Sequence, residues 1–255
     1  MNQEDLSLLN EQQLEAVTHE GSPLLILAGA GSGKTRVITT KIAYLISEKG
    51  VNPWQILAVT FTKKAANEMR ERAIALDERA ASTQIKTFHS FGAWFLRKNA
   101  EAAGVSENFT VYDDDDTVSL IQKAMPKLTK QRANHFAHLI SLAKDYCYQS
   151  DDAELDQIDD DPEFRAVYKA YQDRLRETGN VDFGDLIMLP YLVMKNNEEI
   201  RERMRNRFKV VMVDEYQDSN VAQFLLLQEL SGVNEGSGNY ICVVGDDDQS
   251  IYKFR

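Results

Sequence analysis

The chain has 255 residues, 43% of them hydrophobic and 27% charged, with a formal net charge of −11. That length allows one large domain or two modest ones with a sizeable core, and the acidic balance argues against nucleic-acid binding through the field of the whole molecule. No apolar run approaches the roughly 20 residues of a membrane span, and the polar start MNQEDLSLLNEQQ lacks the basic and apolar regions of a signal peptide. Cys147 and Cys242 lack metal-ligand spacing and are expected to be buried, reduced thiols in a cytoplasmic protein.

In chain order, LLILA (24–28) is a short apolar run suited to a strand buried on both faces. After a glycine-rich loop, Val37, Ile38, Ile42, Leu45 and Ile46 fall at helical spacing, and Gly50 can stop that helix with a positive φ. QILAVTF (55–61) reads as the next strand, and Thr62 stands where it can cap a helix through KKAANEMRERAIAL. TQIKTF (83–88) alternates like a third strand, and SFGAWFLRKNAEAAG returns to helix. Residues 105–205 read as mostly helical, with Pro162 and the runs YDDDDT and SDDAELDQIDDD as softer joints. Residues 111–180 carry 15 acidic against 9 basic side chains, which fits a solvated acidic surface. FKVVMVDE (208–215) and NYICVVGD (239–246) are Val-rich strands on either side of the helix SNVAQFLLLQELSG. The order βαβαβ, interruption, βαβ predicts an α/β fold: a parallel sheet with helices on both faces and an inserted helical subdomain. Residues 1–110 and 181–255 are expected to form the two parts of the sheet domain, with 111–180 as the insertion.

The loop AGAGSGKT holds Ala28, Gly29, Ala30, Gly31, Ser32, Gly33, Lys34 and Thr35. Between a strand and a helix, small residues let backbone amides wrap a phosphate at the positive end of the helix dipole. Lys34 supplies a cation for the β and γ oxygens and Thr35 a hydroxyl for Mg2+; Ala28, where glycine is common, adds one methyl at the loop entry. Hydrolysis needs more, namely a carboxylate on another core strand for the metal and a base for water. Asp214 and Glu215 in VVMVDEYQDSN offer both, and the helical insertion accounts for their wide sequence separation from Lys34.

Taken in order, AGAGSGKT, VTFTKKAANEMRER, KTFHSF, DEYQDSN and VVGDDDQSIYKFR resemble the motifs of the UvrD/Rep type of superfamily 1 DNA helicases. LNEQQLEAV is similar to that family's adenine-reading segment, and VDFGDLI (181–187) to the segment where its helical insertion rejoins the core. The resemblance implies a RecA-like P-loop NTPase fold, with ATP and Mg2+ as cofactors and 3′ to 5′ movement on single-stranded DNA. Alanine at position 28 is usual in the family. By the same resemblance Gln13 contacts adenine, Arg36 supports the phosphate end, and Gln249 contacts the γ-phosphate or its water.

For the DNA track, Phe61, Thr87 and His89 lie at strand ends, and Tyr252 and Phe254 alternate with Lys253 and Arg255. Alone, each reads more readily as core packing; as a set with the family motifs they point to single-stranded DNA and to single/double-strand junctions. The sequence stops at Arg255 within a motif that the family continues. A second RecA-like domain, which brings arginines to the γ-phosphate in the family, is therefore an expected partner, and weak ATP binding, slow turnover at most and no unwinding are expected of this chain. The pathway, whether repair, replication restart or recombination, stays open. Two other readings remain: the helicase portion of a helicase–nuclease, and a non-catalytic ATP-regulated module that binds DNA or protein, against which Glu215 and Gln249 both argue.

Overall fold

The computed structural model describes residues 6–236 and 239–246. They fall into two compact units, one drawn from residues 1–88, 198–219 and 227–255, the other from residues 89–197 and 220–226.

The first unit opens with helix α1 (Glu11–Thr18), capped by Asn10 in a reciprocal box with Gln13. It continues with β1 (Leu24–Leu27), α2 (Lys34–Ser47), β2 (Ile56–Thr60), α3 (Lys63–Leu76) and β3 (Gln84–Thr87). Thr62 caps α3 as its position predicts, accepting from the Ala65 amide at 3.1 Å. In the second unit, α4 (Phe88–Lys98) and α5 (Ala100–Ala103) lead to β4 (Val111–Tyr112), α6 (Asp114–Ala124), α7 (Lys130–Asp145) and α8 (Pro162–Glu177). β5 (Val181–Asp182) and α9 (Asp185–Asn196) complete the unit, and β5 pairs with β4 in a two-stranded ribbon. The chain then returns through α10 (Glu198–Arg207) and β6 (Val210–Val213), and α11 (Val221–Ser231) precedes β7 (Tyr240–Gly245).

The main sheet is parallel, in the order β1-β7-β6-β2-β3. Its register pairs Leu27 with Gly245, Val243 with Val213, Val213 with Val59, and Thr60 with Thr87, so the five strands finish along one edge. Ile56, Ala58, Val210, Met212, Cys242 and Val244 share a core with Ile38 and Ile42 of α2 and Met69 and Ala73 of α3. Leu57, Val59, Val211 and Val213 are also buried, so the central strands are covered on both faces. β1 departs from the expected two-sided burial. Among the described residues it is one of the two edge strands, and its alternate residues Leu25 and Leu27 remain 56% and 54% exposed.

The helical unit is larger than the span 111–180 read from composition. At Gly92 of α4 an added Cβ would lie 1.7 Å from the Leu186 carbonyl oxygen of α9, so these helices pack backbone to backbone and belong together. VDFGDLI accordingly lies within the helical unit. The expected joints are helix starts instead. Pro162 opens α8 with Asp161 accepting from the Glu163 amide at 2.8 Å, and Asp113 and Asp116 cap α6. The unit's core is built from Ile121, Phe136, Ile140, Phe164, Tyr168 and Tyr171.

Beneath that core, α7 sends Lys144, 1% exposed, to Asp182 Oδ2 at 2.6 Å and to Asp185 Oδ1 at 2.8 Å. The Tyr171 hydroxyl donates to Asp182 Oδ2 at 2.8 Å and the Arg176 guanidinium to Asp185 Oδ2 at 2.6 Å. Both cysteines are free thiols and buried, as expected.

Candidate functional site

The loop after β1 is shaped by residues that tolerate left-handed backbone: Gly31 and Gly33 have φ of +77° and +88°. Ala28 extends the strand ladder, donating its amide to the Gly245 carbonyl at 3.1 Å. From the first turn of α2, Lys34 Nζ folds back to the Ala28 carbonyl at 3.0 Å and reaches Asp246 Oδ2, just past β7, at 3.4 Å. Gln13 lies against the same loop, its Nε2 donating to the Ser32 carbonyl at 2.9 Å and its Oε1 accepting from the Asn10 amide at 3.1 Å. A Cβ on Gly33 would come within 2.9 Å of that Nε2, a second reason for glycine there.

Across β7, the end of β6 presents Asp214, 4% exposed. Burial and the neighbouring Glu215 charge push its carboxyl up to about 6, while the Glu215 amide, donating at 3.0 Å, and the Lys34 charge act the other way. Glu215 is in the left-handed region at φ +53°, an uncommon place for a residue with a side chain. Its Oε2 accepts from Gln217 Nε2 at 2.6 Å, and Gln217 Oε1 accepts from the Asp246 amide at 3.0 Å. One amide thus ties the acid after β6 to the end of β7.

Lys34, Glu215 and Asp246 line a cavity of about 390 Å³ together with Ala30, Gly31, Gly33, Thr35, Arg36 and Arg72. Of the residues nominated from the sequence, Lys34, Thr35, Arg36 and Glu215 line this one cavity. Asp246 and Arg72 of α3 line it too, and Gln217 holds Glu215; none of the three is nominated from the sequence, although all lie in stretches whose motif character is visible there. Among the described residues no group of three or more His, Cys, Asp or Glu side chains could hold a metal ion.

The sequence matches the family described as the UvrD/REP helicase N-terminal domain over residues 9–255. The chain belongs to that family. It is 44% identical over 260 residues to the ATP-dependent DNA helicase UvrD1 of Mycobacterium tuberculosis, covering 97% of this chain and 34% of the relative. It is 41% identical over 256 residues to the ATP-dependent DNA helicase PcrA of Staphylococcus aureus, covering 98% and 34%. A probable DNA helicase II homolog of Mycoplasma capricolum is 39% identical over 260 residues, covering 98% and 36%. The chain spans about a third of the length of these relatives.

Within this UvrD/REP domain, the residues nominated for a polymer lie in both units. In the first, Phe61 directly follows β2, half-buried, with its ring 5.3 Å from that of Phe88, and Thr87 ends β3 with its side chain largely buried. In the second, His89 lies in the first turn of α4 rather than at a strand end, 5.7 Å from the Phe183 ring in an edge-to-face contact. Burial draws the imidazole below its ordinary pKa and favours the neutral ring. Phe183 is 52% exposed, a large aromatic that the sequence reading leaves inside VDFGDLI without a role. Gln249, Tyr252, Phe254 and Arg255 lie outside the described residues. Among the described residues no helix is long and apolar enough to cross a membrane.

Proposed function

We propose that this chain is the ATP-binding first motor domain of a cytoplasmic ATP-dependent DNA helicase that moves 3′ to 5′ on single-stranded DNA and works at single/double-strand junctions. The observation that carries the reading is one cavity of about 390 Å³ lined by Lys34 and the loop glycines together with Glu215 and Asp246. The names of the relatives, ATP-dependent DNA helicases, support it.

In this reading the loop amides and Lys34 grip the β and γ phosphates, and Arg36 and Arg72 add positive charge at the cavity wall. The remaining N–H and lone pair of the Gln13 amide meet the adenine edge. Thr35 and Asp214 would hold Mg2+, and their chemistry fits. Asp214 is a buried carboxylate whose charge lacks full compensation, and Mg2+ takes few protein ligands, completing its shell with water and phosphate. Bound there, the ion would neutralise charge developing on the phosphoryl oxygens. Glu215, with one oxygen held by Gln217, orients the attacking water and accepts its proton; Gln249 contacts the γ-phosphate. Contact with single-stranded DNA is assigned to Phe61, Thr87, His89, Tyr252, Phe254 and Arg255, and Phe183 packs beside His89. A neutral His89 serves as a hydrogen-bonding or stacking group rather than a cation. A second RecA-like domain is the proposed partner that completes the nucleotide site and makes unwinding possible.

The test is ATP binding by the wild-type chain and Lys34→Ala, and turnover, with and without single-stranded DNA, of the chain joined to its second motor domain, as wild type and as Glu215→Gln. Lys34→Ala is expected to lose about 100-fold in affinity, the value of a charge-assisted contact to phosphate. Glu215→Gln should bind like wild type and lose at least about 100-fold in turnover. Undiminished binding in the first removes the phosphate site, and undiminished turnover in the second removes the base.

A further inference from the structure

We propose that Lys41 is a positioning residue for adenine recognition, holding the helix that carries Gln13 in register with the phosphate loop; the inference rests on the nucleotide reading above. Lys41 lies two turns into α2, on the face of Ile38, Ile42 and Leu45, and is fully buried. A lysine there needs a reason, because its ammonium is expensive to desolvate without partners. Its Nζ donates to the carbonyls of Ala16 at 2.9 Å, Val17 at 3.0 Å and His19 at 2.8 Å, which uses all three of its N–H bonds. These are carbonyls at the C-terminal end of α1, where the helix supplies no N–H donors for them and its dipole is negative. The ring of Tyr240 lies 5.1 Å from the same ammonium. Burial lowers the pKa of Lys41 to about 8, which leaves it charged at neutral pH.

Helix α1 is therefore held at both ends by the element that forms the phosphate loop. At its N-terminal end Gln13 meets Ser32, and at its C-terminal end Lys41 of α2 acts as a cap delivered from a neighbouring helix. The direction in which the Gln13 amide points depends on the tilt of α1, and Lys41 fixes that tilt. The phosphate grip depends instead on the loop amides and Lys34, which Lys41 does not touch. Loss of Lys41 should therefore weaken recognition of the base and spare recognition of the triphosphate.

The experiment is calorimetric binding of ATP and of inorganic tripolyphosphate, both with Mg2+, to the wild-type chain, Lys41→Met, Gln13→Ala and the double variant. Lys41→Met should lose about tenfold for ATP, the worth of one well-made hydrogen bond, and less than about twofold for tripolyphosphate. In the Gln13→Ala background the same change should cost less than about twofold for ATP, because the group it positions is already gone. Where Lys41→Met fails to fold, Lys41→Gln, which keeps two donors, provides the same comparison. Equal losses for the two ligands, no loss for ATP, or a loss that adds fully to that of Gln13→Ala overturns the proposal and leaves the phosphate site standing. Failure of the wild-type chain to bind either ligand overturns the nucleotide reading itself, and this inference with it.

Discussion

Each unit buries a cluster of acids, and the two clusters are solved in opposite ways. In the helical unit Asp182 and Asp185 are saturated: Lys144, Arg176 and Tyr171 donate to them, and each also accepts from the backbone amide of the other. The two cations hold the Asp185 carboxyl below its ordinary value although it is fully buried. In the sheet unit Asp214 is nearly as buried, yet its local partner is a single backbone amide, and its carboxyl is pushed up to about 6. The first cluster is closed and fixes the packing of α7, α8 and β5. The second is kept under-compensated beside a cavity, as expected where an incoming cation is to supply the missing charge. Burial alone does not separate structure from function; the balance of partners does.

The largest effect should come from opening the closed cluster. Lys144→Met leaves two buried carboxylates without their shared ammonium and is expected to cost about 3–5 kcal/mol, read as a lowered midpoint in urea denaturation. Closing the open cluster should do the reverse. Asp214→Asn is expected to raise stability of the nucleotide-free chain by about 2 kcal/mol near pH 7 while abolishing Mg2+-dependent nucleotide binding. The two acids also predict opposite pH dependences. Asp185, with its pKa lowered by folding, contributes stability that is complete above about pH 4 and lost as pH falls through its folded value. Asp214, raised to about 6, contributes stability present below about pH 4 and lost as pH rises through that value. The advantage of Asp214→Asn over wild type should therefore grow from about pH 4 to pH 7 and vanish in acid; an advantage independent of pH would break the comparison. The smallest effect belongs to Gln217→Ala, expected to lower ATP turnover about tenfold with ATP affinity within about twofold, because it frees Glu215 without removing it.

Much of this was legible from local pattern. The apolar runs locate all five sheet strands, Thr62 announces α3, and Gly31 and Gly33 occupy the loop positions that need positive φ. What escaped depends on pairings distant in sequence. LLIL reads as a central strand because its composition is apolar throughout; that β1 ends the sheet follows from strand order, which no short window contains. The bounds of the helical unit turn on the close approach of Gly92 to Leu186, 94 positions away. Lys41 and Lys144 are not singled out in the sequence, since a buried lysine is recognisable only once its acceptors are in place. Gln217 lies inside a recognised motif, but the double use of its amide appears only when β6 and β7 are neighbours.

The exposed outer face of β1 has a practical consequence. Leu25 and Leu27 offer two aliphatic side chains on a strand that has a hydrogen-bonded neighbour on one side only among the described residues. Such a seam invites self-association through strand addition, and a lysine is the usual natural remedy on an unprotected border. Handled on its own, the chain should be easier to keep monodisperse at high concentration as Leu25→Lys than as wild type.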